Sequence, residues 1–256
     1  MRCVYMSGAG NDFMVIDGRG QNLNYEELSK ELCAMTGADG FMALDVSDKA
    51  DFRLHYYNAD GSRGEMCGNG SRCICKFAYD LGIVGEEMSI ETDAGIVPGW
   101  RLGDTQYRVK LTRPVDIDLE AKPDVAYAIC GVPHAVTEIP GLTWEQKDAL
   151  REQAKSLRFD PVFPKGANVD FFCWLDDTTV RVLSYERGLE DYTLACGTGC
   201  GALTAILYTA GKLPGKKLKA LNPGGTLQIT IEEQGGLISG LLLEGPAEVI
   251  REYDVT

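Results

Sequence analysis

Two cysteines of this sequence stand in matching surroundings, and their chemistry sets the reading of the chain. Cys67 lies in Met66-Cys67-Gly68-Asn69-Gly70, and Cys196 in Ala195-Cys196-Gly197-Thr198-Gly199. With the cysteines overlaid, Gly68 falls on Gly197 and Gly70 on Gly199, and Gly82 and Gly211 each follow fifteen positions later. Cys73 to Leu81 and Gly201 to Ala210 read as helices, with the N-cap residue types Asn69 and Thr198 just ahead of them. A helix N-terminus offers unpaired N–H groups and a partial positive charge. It lowers the pKa of a nearby thiol and binds carboxylate or phosphate. One such copy also fits a buried cysteine at a helix start. Two copies in register point to two reactive thiols holding an anion between them. That pair suits inversion of an α-carbon, with a thiolate as base on one side and a thiol as acid on the other. Donors aimed at the carboxylate would stabilise the carbanion.

The duplication reaches beyond the cysteines. Phe52 to Asn58 precedes the first and Val180 to Glu186 the second, and Gly95-Ile96-Val97 and Gly225-Thr226-Leu227 open a strand after each helix. The spacing predicts two halves of one ancient repeat with a seam near Asp116–Pro123, hence domains 1–118 and 119–256. Asn24 and Glu27 cap a helix from Tyr25 to Met35 that Gly37 stops, and Thr143 with Gln146 opens one from Trp144 to Leu157. Strands are predicted at 4–6, 13–16, 41–46, 52–57, 88–92, 95–100, 107–111, 125–130, 169–175, 179–185, 227–231, 238–243 and 247–251. The pattern is α+β: two pseudo-symmetric domains, each a mainly antiparallel sheet with one central and one peripheral helix.

Composition narrows the partners. A net charge of −13 argues against nucleic acid and anionic membrane surfaces. No apolar run is long enough to span a bilayer. Met1-Arg2-Cys3 leads straight into a strand-like run, so no signal peptide is expected and the location expected is cytoplasmic. Nine cysteines are then expected as reduced thiols. They lack zinc-site spacing, and Cys73 and Cys75 would point about 200° apart on a helix, so no metal is expected. Cys3, Cys33, Cys73, Cys75, Cys130, Cys173 and Cys200 read as small buried hydrophobes.

Six segments together carry a resemblance. Ser7-Gly8-Ala9-Gly10-Asn11-Asp12-Phe13, Asn58-Ala59-Asp60-Gly61-Ser62, the first cysteine loop, Gly166-Ala167-Asn168-Val169, Tyr185-Glu186-Arg187-Gly188 and the second cysteine loop resemble, in order, the diaminopimelate epimerases. Proline racemases also use two such cysteines, but usually carry His where Asn69 stands and Pro where Ala195 stands. The resemblance implies a sheet wrapped around a central helix in each domain and an active site in the cleft between them. It implies interconversion of LL- and meso-2,6-diaminopimelate, a step of lysine and cell-wall precursor synthesis, with no cofactor. Cys67 and Cys196 would be acid and base, and His134 and Glu186 would tune them. Asn11, Asn58, Asn168, Glu186 and Arg187 would bind substrate, and Gly68 with Asn69 and Gly197 with Thr198 would receive the α-carboxylate.

Each of these residues also has an ordinary role. His134 after Pro133 fits a core histidine, Glu186-Arg187 a strand-end ion pair, and Asn11, Asn58 and Asn168 turn residues. The sequence departs from the family where Val132 replaces a frequent Asn, where Phe41 stands for a Gln near the substrate in some members, and where Arg251 replaces an aromatic that supports a homodimer. Two alternatives stay open: the same mechanism on another amino acid such as histidine, or a non-catalytic ligand-binding protein on this scaffold.

Overall fold

The computed structural model describes residues 2–64 and 66–254 and divides the chain into two compact units, Met1–Lys110 with Glu244–Thr256, and Leu111–Leu243. The first unit begins with the hairpin β1 (Arg2–Gly8) and β2 (Asn11–Asp17). Helix α1 (Tyr25–Thr36) follows, with Asn24 accepting the Glu27 N–H as N-cap and Gly37 left-handed at its end. It carries the chain to β3 (Gly40–Asp45), which lies parallel to β2. Next come β4 (Phe52–Asn58), antiparallel to β3, and the short β5 (Arg63–Gly64). Helix α2 (Gly68–Asp80) then crosses over to β6 (Glu87–Thr92), parallel to β4. Strands β7 (Gly95–Arg101) and β8 (Gln106–Leu111) complete the antiparallel run.

The second unit repeats this order. After β9 (Val115–Lys122) come β10 (Val125–Cys130), β11 (Val132–Glu138), α3 (Lys147–Arg158), β12 (Asn168–Asp176), β13 (Thr179–Glu186), β14 (Asp191–Thr193), α4 (Gly197–Thr209), β15 (Lys217–Asn222), β16 (Gly225–Gln234) and β17 (Leu237–Pro246). Again the two crossovers through helices give parallel pairs, β11 with β12 and β13 with β15, among antiparallel neighbours. A single 3-10 turn, Trp144–Gln146, precedes α3, and the Gln146 side chain accepts the Thr143 N–H at 2.8 Å. The expected α+β pattern is therefore present in each unit.

The cysteine helices lie inside their units. Ten residues of α2 and ten of α4 are buried, so neither has a solvent face. Small residues at their starts let the strands approach: a Cβ on Gly201 would meet the Cys130 sulfur at 3.0 Å. Both helices end alike. Gly82 and Gly211 are left-handed (φ 69° and 68°) and donate to Tyr79 and Tyr208, while Ile83 and Lys212 reach back to Ala78 and Leu207. This doubly bonded C-terminus satisfies carbonyls that a helix end leaves open. Helix α1 packs on the other side of β2 and β3, over a core that includes Met14, Ile16, Leu32, Phe41 and Ala43.

The seam differs from the sequence expectation of 1–118 and 119–256. The expected seam near Asp116–Pro123 falls on strand β9 (Val115–Lys122), which pairs with β10 of the second unit. The last strand, β18 (Glu248–Asp254), pairs with β1 of the first, and Arg2 binds Glu252 at 2.6 Å. Each half thus gives its final strand to the other unit's sheet, because an edge strand's free N–H and C=O groups accept whichever strand lies alongside. Ending the chain after Gly245 would strip β1 of that partner. The melting temperature should fall by about 10 °C or more, at roughly 2–4 °C per kcal/mol for a chain of this size. An unchanged thermal melt would contradict the exchange.

Candidate active site

In the first unit Cys67 is itself the N-cap of α2, with extended backbone (φ −126°, ψ 121°). Its sulfur accepts the Gly70 N–H at 3.5 Å and its carbonyl the Ser71 N–H at 2.7 Å. Asn69 is thus not the cap but a buried residue of the first turn, and the helix starts five residues earlier than Cys73. Gly68 and Asn69 are the first two residues of the helix, ahead of the Ser71 N–H that opens its backbone ladder. Asn11 comes to the thiol, its Oδ1 3.6 Å from the Cys67 sulfur and 3.5 Å from Asn69 Nδ2. Its orientation is fixed from behind, because Nδ2 donates to Asp39 at 2.7 Å, and Asp39 also takes the Asp12 N–H. Arg72, fully buried, donates to the Asn69 side chain at 3.0 Å and to the Gly68 and Pro246 carbonyls. Asn58 is used within its own turn, accepting from the Tyr56 hydroxyl and donating to Ser62.

The second unit repeats the cap. The Cys196 sulfur accepts the Gly199 N–H at 3.3 Å, and α4 starts at Gly197, four residues before Gly201. Thr198, expected as cap, sits in the first turn with its hydroxyl 3.4 Å from the Cys196 sulfur. That hydroxyl is also 3.1 Å from His134 Nε2. His134 Nδ1 is 2.7 Å from Asp170, whose other oxygen accepts the Ser184 hydroxyl at 2.6 Å. His134 and Asp170 are completely buried and Ser184 nearly so. The Asn168 side chain accepts the Arg187 N–H at 2.8 Å, and Arg187 Nη1 donates to the Lys165 carbonyl at 2.8 Å. The Glu186–Glu190 turn is closed by the Glu190 N–H on the Glu186 carbonyl.

A helix N-terminus alone would lower the Cys196 pKa. Here burial wins, joined by the negative charges of Glu186 and Asp170, and holds it well above the ordinary thiol value despite the bonds from Thr198 and Gly199. Of the nine cysteines only Cys67 is half-exposed; the other eight are buried, and burial pushes Cys73 and Cys130 up to about 12. His134, Asp170 and Cys196 are the one group among the described residues whose donor atoms, all within 4.8 Å, could hold a metal ion. Phe41 lies in the core on the α1 side rather than beside Cys67.

Sequence reasoning missed Asp170, Ser184 and Arg72. The available signal was a charge placed inside an apolar run, Val169-Asp170-Phe171-Phe172, and another inside the helix Ser71-Arg72-Cys73-Ile74. The strand registers show what Asp170 replaces. Met42 pairs with Tyr56 as Asp170 pairs with Ser184, and Phe13 stands opposite Gly40 as His134 stands opposite Asn168. A Cβ on Gly70 would meet Met42 Sδ at 3.0 Å and Phe13 at 3.4 Å, whereas one on Gly199 would lie 2.3 Å from Asp170 Oδ1. The floor under one capped cysteine is apolar and the other polar.

That contrast makes two matched substitutions unequal. Gly199→Ala would drive a methyl into the carboxylate, so urea unfolding should show a loss of about 1–3 kcal/mol, the usual cost of overpacking. Gly70→Ala meets a flexible methionine at 3.0 Å and Phe13 at ordinary contact distance. The gain of about 0.5–1 kcal/mol for Ala over Gly in a helix should leave it near neutral. Equal losses would contradict the difference between the two floors.

Comparison with known proteins agrees with this geometry. The family model described as diaminopimelate epimerase matches residues 3–114 and 126–250. The diaminopimelate epimerase of Chlorobaculum tepidum is 35% identical over 261 residues, covering 98% of this chain and 100% of its own. That of Aquifex aeolicus is 36% identical over 251 residues, covering 89% of this chain and 88% of its own. A Bacillus anthracis phenazine biosynthesis protein of the PhzF family has the same fold, with a TM-score of 0.79 at 15% identity over 100% of this chain and 99% of that one. No described helix is long and apolar enough to cross a membrane. The two capped cysteines, their glycine turns and the full-length match together place this chain in the diaminopimelate epimerase family.

Proposed function

We propose that this chain interconverts LL- and meso-2,6-diaminopimelate by proton transfer at one α-carbon, without pyridoxal phosphate or a metal. The observation that carries the reading is the repeated cap: each unit ends a strand-to-helix turn on a cysteine whose sulfur sits at a buried helix N-terminus. One thiol from each unit acts on opposite sides of the same α-carbon. The thiolate takes the α-hydrogen and the opposing thiol delivers one, so the centre inverts and the two groups have exchanged protonation states. The carbanion spreads charge onto the α-carboxylate. The first-turn N–H groups of Gly68, Asn69, Gly197 and Thr198 meet that charge, in a setting where pre-aimed donors count for most.

The far end of the substrate sets selectivity. Diaminopimelate carries a second ammonium and a second carboxylate, and charge taken from water needs partners. Glu186 and Arg187 supply them. Only Nη1 of Arg187 is used on Lys165, and a guanidinium has further donors for a carboxylate. Asn168 fixes the Arg187 backbone, while Asn11 and Asn58 add neutral polar contacts. The protein works in the cytoplasm in lysine and cell-wall precursor synthesis, with a homodimer as the assembly to test, since Arg251 replaces the aromatic that supports it in the family.

Purified protein incubated with LL-diaminopimelate and no added cofactor should form the meso isomer, with alanine, glutamate, proline and histidine much poorer substrates. Cys67→Ala and Cys196→Ala should each abolish epimerisation while circular dichroism stays native, since one thiol cannot invert a centre. Full turnover in either variant refutes the two-thiol reading. Preference for a monocarboxylate refutes the substrate but leaves the mechanism.

A further inference from the structure

The two units place different chemistry at equivalent positions under their cysteines. Beneath Cys67 the strands present Phe13, Met42 and Tyr56, with Phe13 edge-on to Tyr56 at 6.2 Å. Beneath Cys196 the same strand positions present His134, Asp170 and Ser184. An apolar floor supports one capped helix, so the fold itself does not require the polar one. Burying polar side chains such as these is expensive, and well-packed apolar replacements are often neutral or stabilising. The polar floor therefore calls for a role beyond packing.

Its hydrogen bonds have a direction. A carboxylate only accepts, so Ser184 donates to one Asp170 oxygen and His134 Nδ1–H to the other. With its hydrogen on Nδ1, neutral His134 offers only a lone pair at Nε2, and Thr198 must donate to it. The Thr198 oxygen then accepts the Cys196 S–H. Every hydrogen in the chain points towards Asp170.

We propose that Asp170, helped by Ser184, is a positioning residue that locks His134 as its Nδ1–H tautomer, so that Thr198 and His134 hold Cys196 as the resting thiol, the acid of the pair. Cys67 lies outside this chain, with the Asn11 amide oxygen 3.6 Å from its sulfur. When Cys196 gives its proton to the substrate, the Thr198 hydrogen swings from His134 Nε2 to the sulfur and meets the thiolate together with the Gly199 N–H. No proton is gained or lost by His134 or Asp170. The burial and carboxylate charges that raise the Cys196 pKa act in the same sense.

This inference rests on the two-thiol reading, and its test separates the two. The chain has two histidines, so ring-15N NMR of the untagged native protein, with His55→Gln for assignment, reads the His134 tautomer directly. Nδ1 should carry the hydrogen and Nε2 a lone pair. A hydrogen on Nε2 overturns the proposal without reference to activity. The second measurement is one-sided exchange of the substrate α-hydrogen with D₂O, using each diaminopimelate isomer. In a Cys67→Ala background, where only Cys196 can exchange and must do so as the thiolate, Asp170→Asn should speed exchange at least about tenfold, because an Nε2–H on His134 leaves the Thr198 hydrogen for the sulfur. A wrong His tautomer is what the corresponding Asp-to-Asn change produces in a serine-protease triad. In a Cys196→Ala background the same change should alter Cys67-side exchange less than about twofold. Ser184→Ala, which keeps the carboxylate and so a folded core, should act in the same sense at about two- to fivefold. Equal losses on both sides indicate a merely structural Asp170 and overturn the proposal. A native protein that exchanges neither isomer refutes the functional reading, and the His134 tautomer still decides the direction of the chain.

Discussion

The first turn of a helix has N–H groups that its own backbone cannot satisfy, and in this protein a cysteine sulfur takes one of them in each unit. Much of the structure follows from that constraint. A sulfur acting as cap must leave the strand in an extended conformation and sit at the very start of the helix, as Cys67 and Cys196 do. The residues after it must be small, since strands close over the first turn, hence Gly68, Gly70 and Ser71 on one side and Gly197, Gly199 and Gly201 on the other. The helix must then be buried along its length, and its far end needs the left-handed glycines Gly82 and Gly211 to return the chain to the sheet. The cap thus ties a cysteine sulfur to the buried start of a helix in each unit.

Identical scaffolds do not give identical thiols. Cys67 is half-exposed beside a neutral amide, whereas Cys196 is buried near two carboxylates. One of those carboxylates, Asp170, stands at a strand position that Met42 holds in the first unit, with the backbone pairing unchanged. A reaction that inverts a centre needs one acid and one base at any moment, so a resting bias between two groups of the same kind is chemically useful. The repeat supplies the pair, and a few buried side chains differ beneath them.

Much of this was legible in the sequence. The paired cysteines, the closing glycines and the Asn24 to Gly37 helix were visible because caps and turns are written in neighbouring residues. The helix starts were not. Glycine-rich first turns have poor helix propensity and read as loop, and burial overrides that. Nor was β9, whose exposed residues Asp116, Asp118 and Glu120 resemble a linker; it is a strand only because β10 lies alongside it. The helix-end argument for an acidic thiol failed at Cys196 because burial outweighs the helix end there, and the charges of Glu186 and Asp170 add to it. Arg72 and Asp170 were seen as letters but not as sites, since their partners are fixed by tertiary packing.

The central claim is that two thiols, and not one base, move the α-hydrogen. The most direct measurement is early-time epimerisation of LL-diaminopimelate in D₂O, with deuterium at the α-carbon followed separately in recovered substrate and in product. A two-thiol enzyme should place solvent deuterium in the meso product while unreacted LL substrate keeps its hydrogen. Deuterium entering recovered substrate as fast as product would mark a single base serving both sides, and would contradict the account.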